Sequence, residues 1–90
     1  MPTLKIPTPM RSYVNGVSQM RVNGKTVGEA MESLLTQFPA LRPHLTKSNG
    51  KLRAFVNLFV GENNIRDLKG LKTPIREDEE IRLVLSIAGG

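Results

Sequence analysis

The chain has 90 residues, with 13 Lys and Arg against 8 Asp and Glu, a net charge of +5 and a pI near 10.1. It contains no cysteine, which excludes disulfides, iron–sulfur ligation and a thiol nucleophile of its own. No apolar run approaches the roughly 20 residues of a membrane span, and the N-terminus lacks the apolar core of a secretory signal. The expectation is a cytoplasmic protein folded as one domain over residues 1–90. The positive charge suits nucleic acid or an acidic protein partner, but its carriers are scattered from Lys5 to Arg82 without forming a block. One Tyr and three Phe are too few for a base-stacking platform, so the pattern points away from nucleic acid.

Residues 3–7 predict a first strand, Leu4 and Ile6 alternating with Thr3 and Lys5. In "MRSYVNGVSQMRVNGK" the Asn15-Gly16 pair predicts a type I′ hairpin turn, because both residues tolerate positive φ. A second strand follows over 17–22 and closes at Asn23-Gly24. "TVGEAMESLLTQFP" predicts a helix. Thr26 and Glu29 have the spacing of a capping box. Val27, Ala30, Met31, Leu34, Leu35 and Phe38 form one apolar stripe. Pro39 ends the helix by biasing residue 38 out of the α region. Gly28 weakens its first turn by about 1 kcal/mol relative to alanine, with no reason visible in the sequence.

Residues 40–50 are expected to form a loop, with Leu41 and Leu45 tucked under the core. "LRAFVNLFV" predicts a central strand over 52–60, followed by a turn over 61–64. Ile65 is expected to begin a short strand, and 67–74 to be irregular. The acidic run Glu77-Asp78-Glu79-Glu80 predicts a turn into a last strand that presents Ile81, Leu83, Leu85 and Ile87 on one face. One amphipathic helix covering one face of a mixed sheet is the two-layer solution for a small α+β domain. The strand–strand–helix–strand–short strand–strand order matches a β-grasp, or ubiquitin-like, arrangement, in which the first and last strands lie side by side.

The inventory for catalysis is thin. His44 is the single histidine and stands without a positioned partner for general-base work, so it reads as a loop residue. The acidic run is flanked by Arg76 and Arg82, which favours a solvated turn over a cation site. No phosphate-loop motif is present; Asn23-Gly24-Lys25-Thr26 has too few glycines for one. The remaining feature is the Gly89-Gly90 pair that follows Ala88 directly after an apolar strand.

With the "TVGEAMESL" helix start, "FVNLFVGE", "TPIREDEEIRLVLSIAGG" and the final glycine pair, the chain resembles the MoaD/ThiS family of ubiquitin-like sulfur carriers over essentially its whole length. "GKLRAFVNLFV", "GLKTPI", the "AGG" end and the long loop before residue 50 resemble the branch that carries sulfur for cysteine biosynthesis, often called CysO. Many members have an Asp-Gly-Asp turn before the last strand; this chain has Glu77-Asp78-Glu79 without glycine.

The resemblance implies a carrier rather than an enzyme. Its tail, Ala88, Gly89 and Gly90, would be flexible, and Gly90 would be the covalent site: adenylated at its carboxylate and then held as a thiocarboxylate. No cofactor would be bound by the chain itself, ATP being used by an adenylating partner of the MoeB/ThiF type. The sulfur would pass to an acceptor enzyme such as a cysteine synthase. Molybdopterin, thiamine or tRNA thiolation, or isopeptide-forming protein modification through Gly90, are the alternatives. If Ile81, Leu83 and Leu85 face the helix, strand parity sends Arg82 and Val84 outward, and with Val56, Leu58 and Val60 inward it sends Phe55 and Phe59 outward. Phe55, Phe59, Val84 and Arg82 are therefore the expected partner-docking residues, ringed by Arg53 and Arg66.

Overall fold

The computed structural model describes residues 1–86. Five strands form one mixed sheet: β1 (Thr3–Lys5), β2 (Gln19–Arg21), β3 (Val56–Val60), β4 (Asn63–Asn64) and β5 (Glu80–Leu85), in the spatial order β2-β1-β5-β3-β4. The helix α1 (Val27–Gln37) crosses between β2 and β3, and a one-turn helix, α2 (Arg42–Leu45), follows it. β1 and β5 run parallel and adjacent, with Leu4 opposite Ile81. β3 and β5 are antiparallel, with Val56, Leu58 and Val60 opposite Leu85, Leu83 and Ile81. These pairs put aliphatic side chains on the helix side of the two strands, as their alternation predicts.

α1 forms where the sequence places it. Thr26 adopts an extended conformation and its Oγ1 accepts from the Glu29 N–H at 3.2 Å. The return half of the cap reaches one residue further than the standard box, Glu29 Oε1 accepting from the Lys25 N–H at 3.1 Å. Val27, Ala30, Met31, Leu34 and Leu35 are buried against the sheet. Burial of each of the larger aliphatic side chains contributes about 1.5–3 kcal/mol. At the far end the Phe38 N–H closes on the Leu34 carbonyl, and Pro39 redirects the chain.

Gly28 now has a reason. A Cβ there would lie 3.0 Å from the carbonyl oxygen of Leu71 and 3.3 Å from its Cβ. The 3₁₀ turn Gly70–Lys72 therefore packs on the helix at a distance only glycine permits without adjustment.

Several connections differ from the sequence expectation. The segment after β1 is a 3₁₀ helix, Thr8–Val14, rather than one arm of a hairpin. Asn15 (φ 58°) and Gly16 (φ 79°) have the positive φ expected of them. They use it to end that helix, both N–H groups donating to the Arg11 carbonyl. The strands are shorter than expected, β1 stopping at Lys5 and β3 starting at Val56. Leu52 makes only an isolated bridge to Thr46. The short strand is Asn63–Asn64, inside the expected turn, and Ile65 opens a 3₁₀ turn instead, its side chain buried. The stretch 39–45 is ordered: Pro39–Leu41 is a 3₁₀ turn leading into α2, and Leu41 and Leu45 are fully buried as expected.

The glycine-free turn before β5 closes by side-chain capping. Glu79 Oε1 accepts from the Arg76 N–H at 2.8 Å while the Glu79 N–H donates to the Arg76 carbonyl at 3.1 Å. No residue from 76 to 79 has positive φ, so none needs to be glycine. Among the described residues no helix is long and apolar enough to cross a membrane.

Two predictions follow from this packing. Gly28→Val forces two further carbons against Leu71 and should cost about 1–3 kcal/mol by overpacking, read as a lower urea midpoint with an unchanged slope. The second concerns Glu32, whose carboxylate accepts from Arg42 Nη2 at 2.8 Å and ties α1 to α2. The hydrogen bond from Arg42, then its charge, holds the Glu32 carboxyl below the ordinary glutamate value. A depressed folded-state pKa makes the contribution present above the unfolded value and lost as pH falls through the folded one. An NMR titration should give Glu32 a lower midpoint in the native chain than in Arg42→Ala.

Candidate functional site

The sheet has one face against α1 and one open to solvent. β3 and β5 build the centre of the open face. Phe59 stands opposite Arg82, and Asn57 opposite Val84. Phe55 lies just before β3 with the same parity as Asn57 and Phe59, and its carbonyl accepts from the Ser86 N–H at 2.8 Å. The register expected from alternation holds. Val56, Leu58 and Val60 are buried, whereas Phe55 is 39% exposed and Phe59 half-buried. Val84 is half-buried and Arg82 exposed.

The face is nevertheless not the continuous apolar patch that two phenylalanines suggest. Arg82 lies over the Phe59 ring, its guanidinium carbon 5.4 Å from the centroid. At an exposed site such a contact is worth about 0.5–1 kcal/mol, and it shields the ring from water. Between Phe55 and Phe59 runs a chain of polar contacts. Asn64 Oδ1 accepts from the Arg66 N–H at 2.9 Å, Asn64 Nδ2 donates to Asn57 Oδ1 at 3.3 Å, and Asn57 Nδ2 donates to Ser86 Oγ. This chain ties β4 and β3 to Ser86, the last described residue. Arg66 Nη2 donates to the carbonyls of Ala54 and Val56 at 2.9 and 3.0 Å. Arg53 does not ring the patch: its Nε donates to the Pro43 carbonyl at 2.9 Å. Lys5, on the same open face, pairs with Glu80 at 3.5 Å.

Sequence reasoning placed Phe55, Phe59, Val84 and Arg82 on one face, and the structure brings them there. It missed Asn57, Asn64 and Ser86 as a connected set. The signal available was polar residues at outward positions, but only the pairing of the strands makes them neighbours. Ala88, Gly89 and Gly90, the expected tail and carrier site, lie with Ile87 outside the described residues. His44, expected in a loop, lies in α2; it is exposed and stacks at a tilt on Tyr13 of the 3₁₀ helix, ring centroids 4.6 Å apart. Among the described residues no cluster of His, Asp or Glu is arranged to hold a metal ion.

A five-stranded mixed sheet with parallel first and last strands, wrapped on one helix, defines a ubiquitin-like β-grasp domain. The ThiS family profile matches residues 4–90, and the chain belongs to that family. It is 30% identical to the sulfur carrier protein CysO of Mycobacterium tuberculosis over 90 residues, covering 98% of this chain and 97% of the relative. A chain in the crystal structure of the Amycolatopsis orientalis BexX/CysO complex superposes with a TM-score of 0.89 at 26% identity, complete on both sides. The small archaeal modifier protein 1 of Methanosarcina acetivorans superposes equally well, at 0.89, with 25% identity over 99% of this chain and 95% of its own.

The two sides of β3 should respond differently to truncation. Leu58→Ala empties a core position and should cost about 2–5 kcal/mol. Phe59→Ala removes an outward ring and its cation contact and should cost about 1 kcal/mol. Urea unfolding of the two variants checks the difference.

Proposed function

We propose that this chain is a sulfur carrier, a substrate of other enzymes rather than a catalyst, whose Gly90 carboxylate is activated by adenylation and carried as a thiocarboxylate. The observation that carries this reading is the similarity to CysO sulfur carriers across nearly the whole of both chains, together with a family match that runs to residue 90.

The chemistry has two steps. A carboxylate oxygen of Gly90 attacks the α-phosphorus of ATP on a partner of the MoeB/ThiF type, and pyrophosphate leaves. A sulfide equivalent then adds to the acyl carbon and AMP leaves, so a C–S bond replaces the acyl C–O bond. The thiocarboxylate sulfur is a better nucleophile than a carboxylate oxygen and can be delivered without release of free sulfide. Glycine at 89 and 90 suits this work because the absence of Cβ lets the backbone enter a narrow channel. The dependence on ATP favours a cytoplasmic setting.

The open face of β3 and β5 is the surface we assign to the activating partner. It carries exposed Phe55, the Arg82-capped Phe59 and half-buried Val84. Aromatic and arginine side chains of this kind are enriched at interfaces. It also continues directly to Ser86, from which the tail departs. Among acceptors, an enzyme of cysteine synthesis has the best support, since the near-full-length similarity is to CysO. A protein-modifier role is the second reading, favoured by the superposition on small archaeal modifier protein 1.

Intact mass of the chain from its native cell reads both its last residue and the state of its carboxylate. The carrier reading expects a gain equal to exchanging one oxygen for one sulfur. The modifier reading expects branched peptides joining Gly90 to target lysines. Deleting Gly90, or adding one residue after it, should abolish ATP–pyrophosphate exchange with the activating enzyme. Unfolding free energy should stay within about 0.5 kcal/mol, because the core residues found within 1–86 are unchanged. An extended chain that is still adenylated without prior cleavage would overturn the proposal.

A further inference from the structure

We propose that the edge of β5 beside Pro7 is a strand-addition site for an extended, carboxylate-bearing segment of the activating partner. β1 ends at Lys5, opposite Arg82, whereas β5 runs on to Leu85 against β3. The Thr3 N–H donates to the Glu79 carbonyl at 3.1 Å and the Ser86 N–H to the Phe55 carbonyl at 2.8 Å. These bonds set the alternation of β5: its even-numbered residues turn their peptide groups to β3 and its odd-numbered residues to β1. Continued by one step, the parallel ladder would ask residue 7 to donate to the Leu83 carbonyl and to accept from the Leu85 N–H. Pro7 has no N–H to give. Its carbonyl accepts instead from the Met10 N–H at 2.9 Å, as the start of the 3₁₀ helix. Among the described residues, the Leu83 carbonyl and the Leu85 N–H have no strand beside them.

A groove of about 480 Å³ opens along this edge, between Ile6, Pro7 and Pro9 on one side and Leu83, Val84 and Leu85 on the other. Lys5, Arg11 and Arg82 also line it, and no Asp or Glu does. Unclaimed strand edges are templates for a further strand, whose main chain supplies the missing donors and acceptors while flanking pockets select its side chains. Lys5 is paired with Glu80 and Arg11 Nε donates to the Ile6 carbonyl, but no ion pair engages Arg11 or Arg82 among the described residues. The groove therefore keeps a net positive charge that selects for acidic side chains, and its apolar walls select for aliphatic ones between them.

The partner follows from continuity, and here the inference rests on the carrier reading. Arg82 and Val84 belong both to the groove and to the open face, and the edge stops one residue before Ser86. A protein that grips the tail from the open face therefore reaches the groove without crossing any other element. Pairing there would hold the end of β5 straight as the tail enters the partner.

The test compares amide exchange in the free chain and in the chain saturated with its adenylating enzyme, with steady-state adenylation of Gln19→Glu. Gln19 is exposed and lines the groove, and the substitution adds a carboxylate at nearly constant volume. The expected result is exchange at the Leu85 amide slowed by about tenfold or more in the complex. Gln19→Glu should raise KM about fivefold by like-charge repulsion with kcat unchanged. Normal adenylation with an unprotected Leu85 amide and an unchanged KM would overturn the strand-addition site and leave the carrier reading intact. Absence of adenylation of the wild-type chain would overturn the carrier reading beneath it. Protection of Leu85 that rises with the concentration of the chain alone would assign the edge to a second copy and overturn the proposed occupant.

Discussion

The structure depends on the placement of β5. It is the last element described, yet it occupies the centre of the sheet, with β1 on one side and β3 on the other. The parallel β1–β5 pair joins the first and last described strands, so everything between them must fold around that contact. Loop-closure entropy rises only slowly with loop length, which makes such a contact thermodynamically affordable. It is kinetically demanding, because non-local pairing must be reached before it stabilises anything. Buried Ile81 and Leu83 bind the strand to the α1 side, and the capped turn at 76–79 fixes where it begins.

A central strand that is also the last of the described ones leaves part of itself unused by the core. The core needs only the inward residues of β5, while the outward residues and the end of the strand are free for other work. Arg82, Val84 and Ser86 sit on that outward side. Their contacts with Phe59 and Asn57 position the strand end without drawing on the packing against α1. Changes on the open face should therefore cost less stability than changes on the buried face.

The polar chain from Arg66 through Asn64 and Asn57 to Ser86 links β4, β3 and β5 across this face. Each contact is modest alone, because hydrogen bonds near solvent exchange with bonds to water. Together they orient side chains that would otherwise rotate freely at the point where the chain leaves the sheet. Pro7 acts on the other edge of the same strand: it ends β1 early and leaves the groove beside residues 83–85.

The sequence by itself determined the elements whose signals are local or periodic. The 3.6-residue stripe from Val27 to Phe38, the Thr26–Glu29 cap and the alternation in 56–60 and 81–85 each carry their meaning within a few residues. They therefore yielded α1, the inward faces of β3 and β5, and the two-layer fold. The positive φ of Asn15 and Gly16 was equally legible, being a property of the residues themselves. What that turn connects was not, because a helix end and a hairpin differ in which backbone groups lie opposite, and that is decided elsewhere in the chain. The same limit hid the reason for Gly28, which lies in Leu71, and the joining of Asn57, Asn64 and Ser86, which only strand register brings together. Only the tertiary structure decided these, because each depends on contacts between segments far apart in the chain.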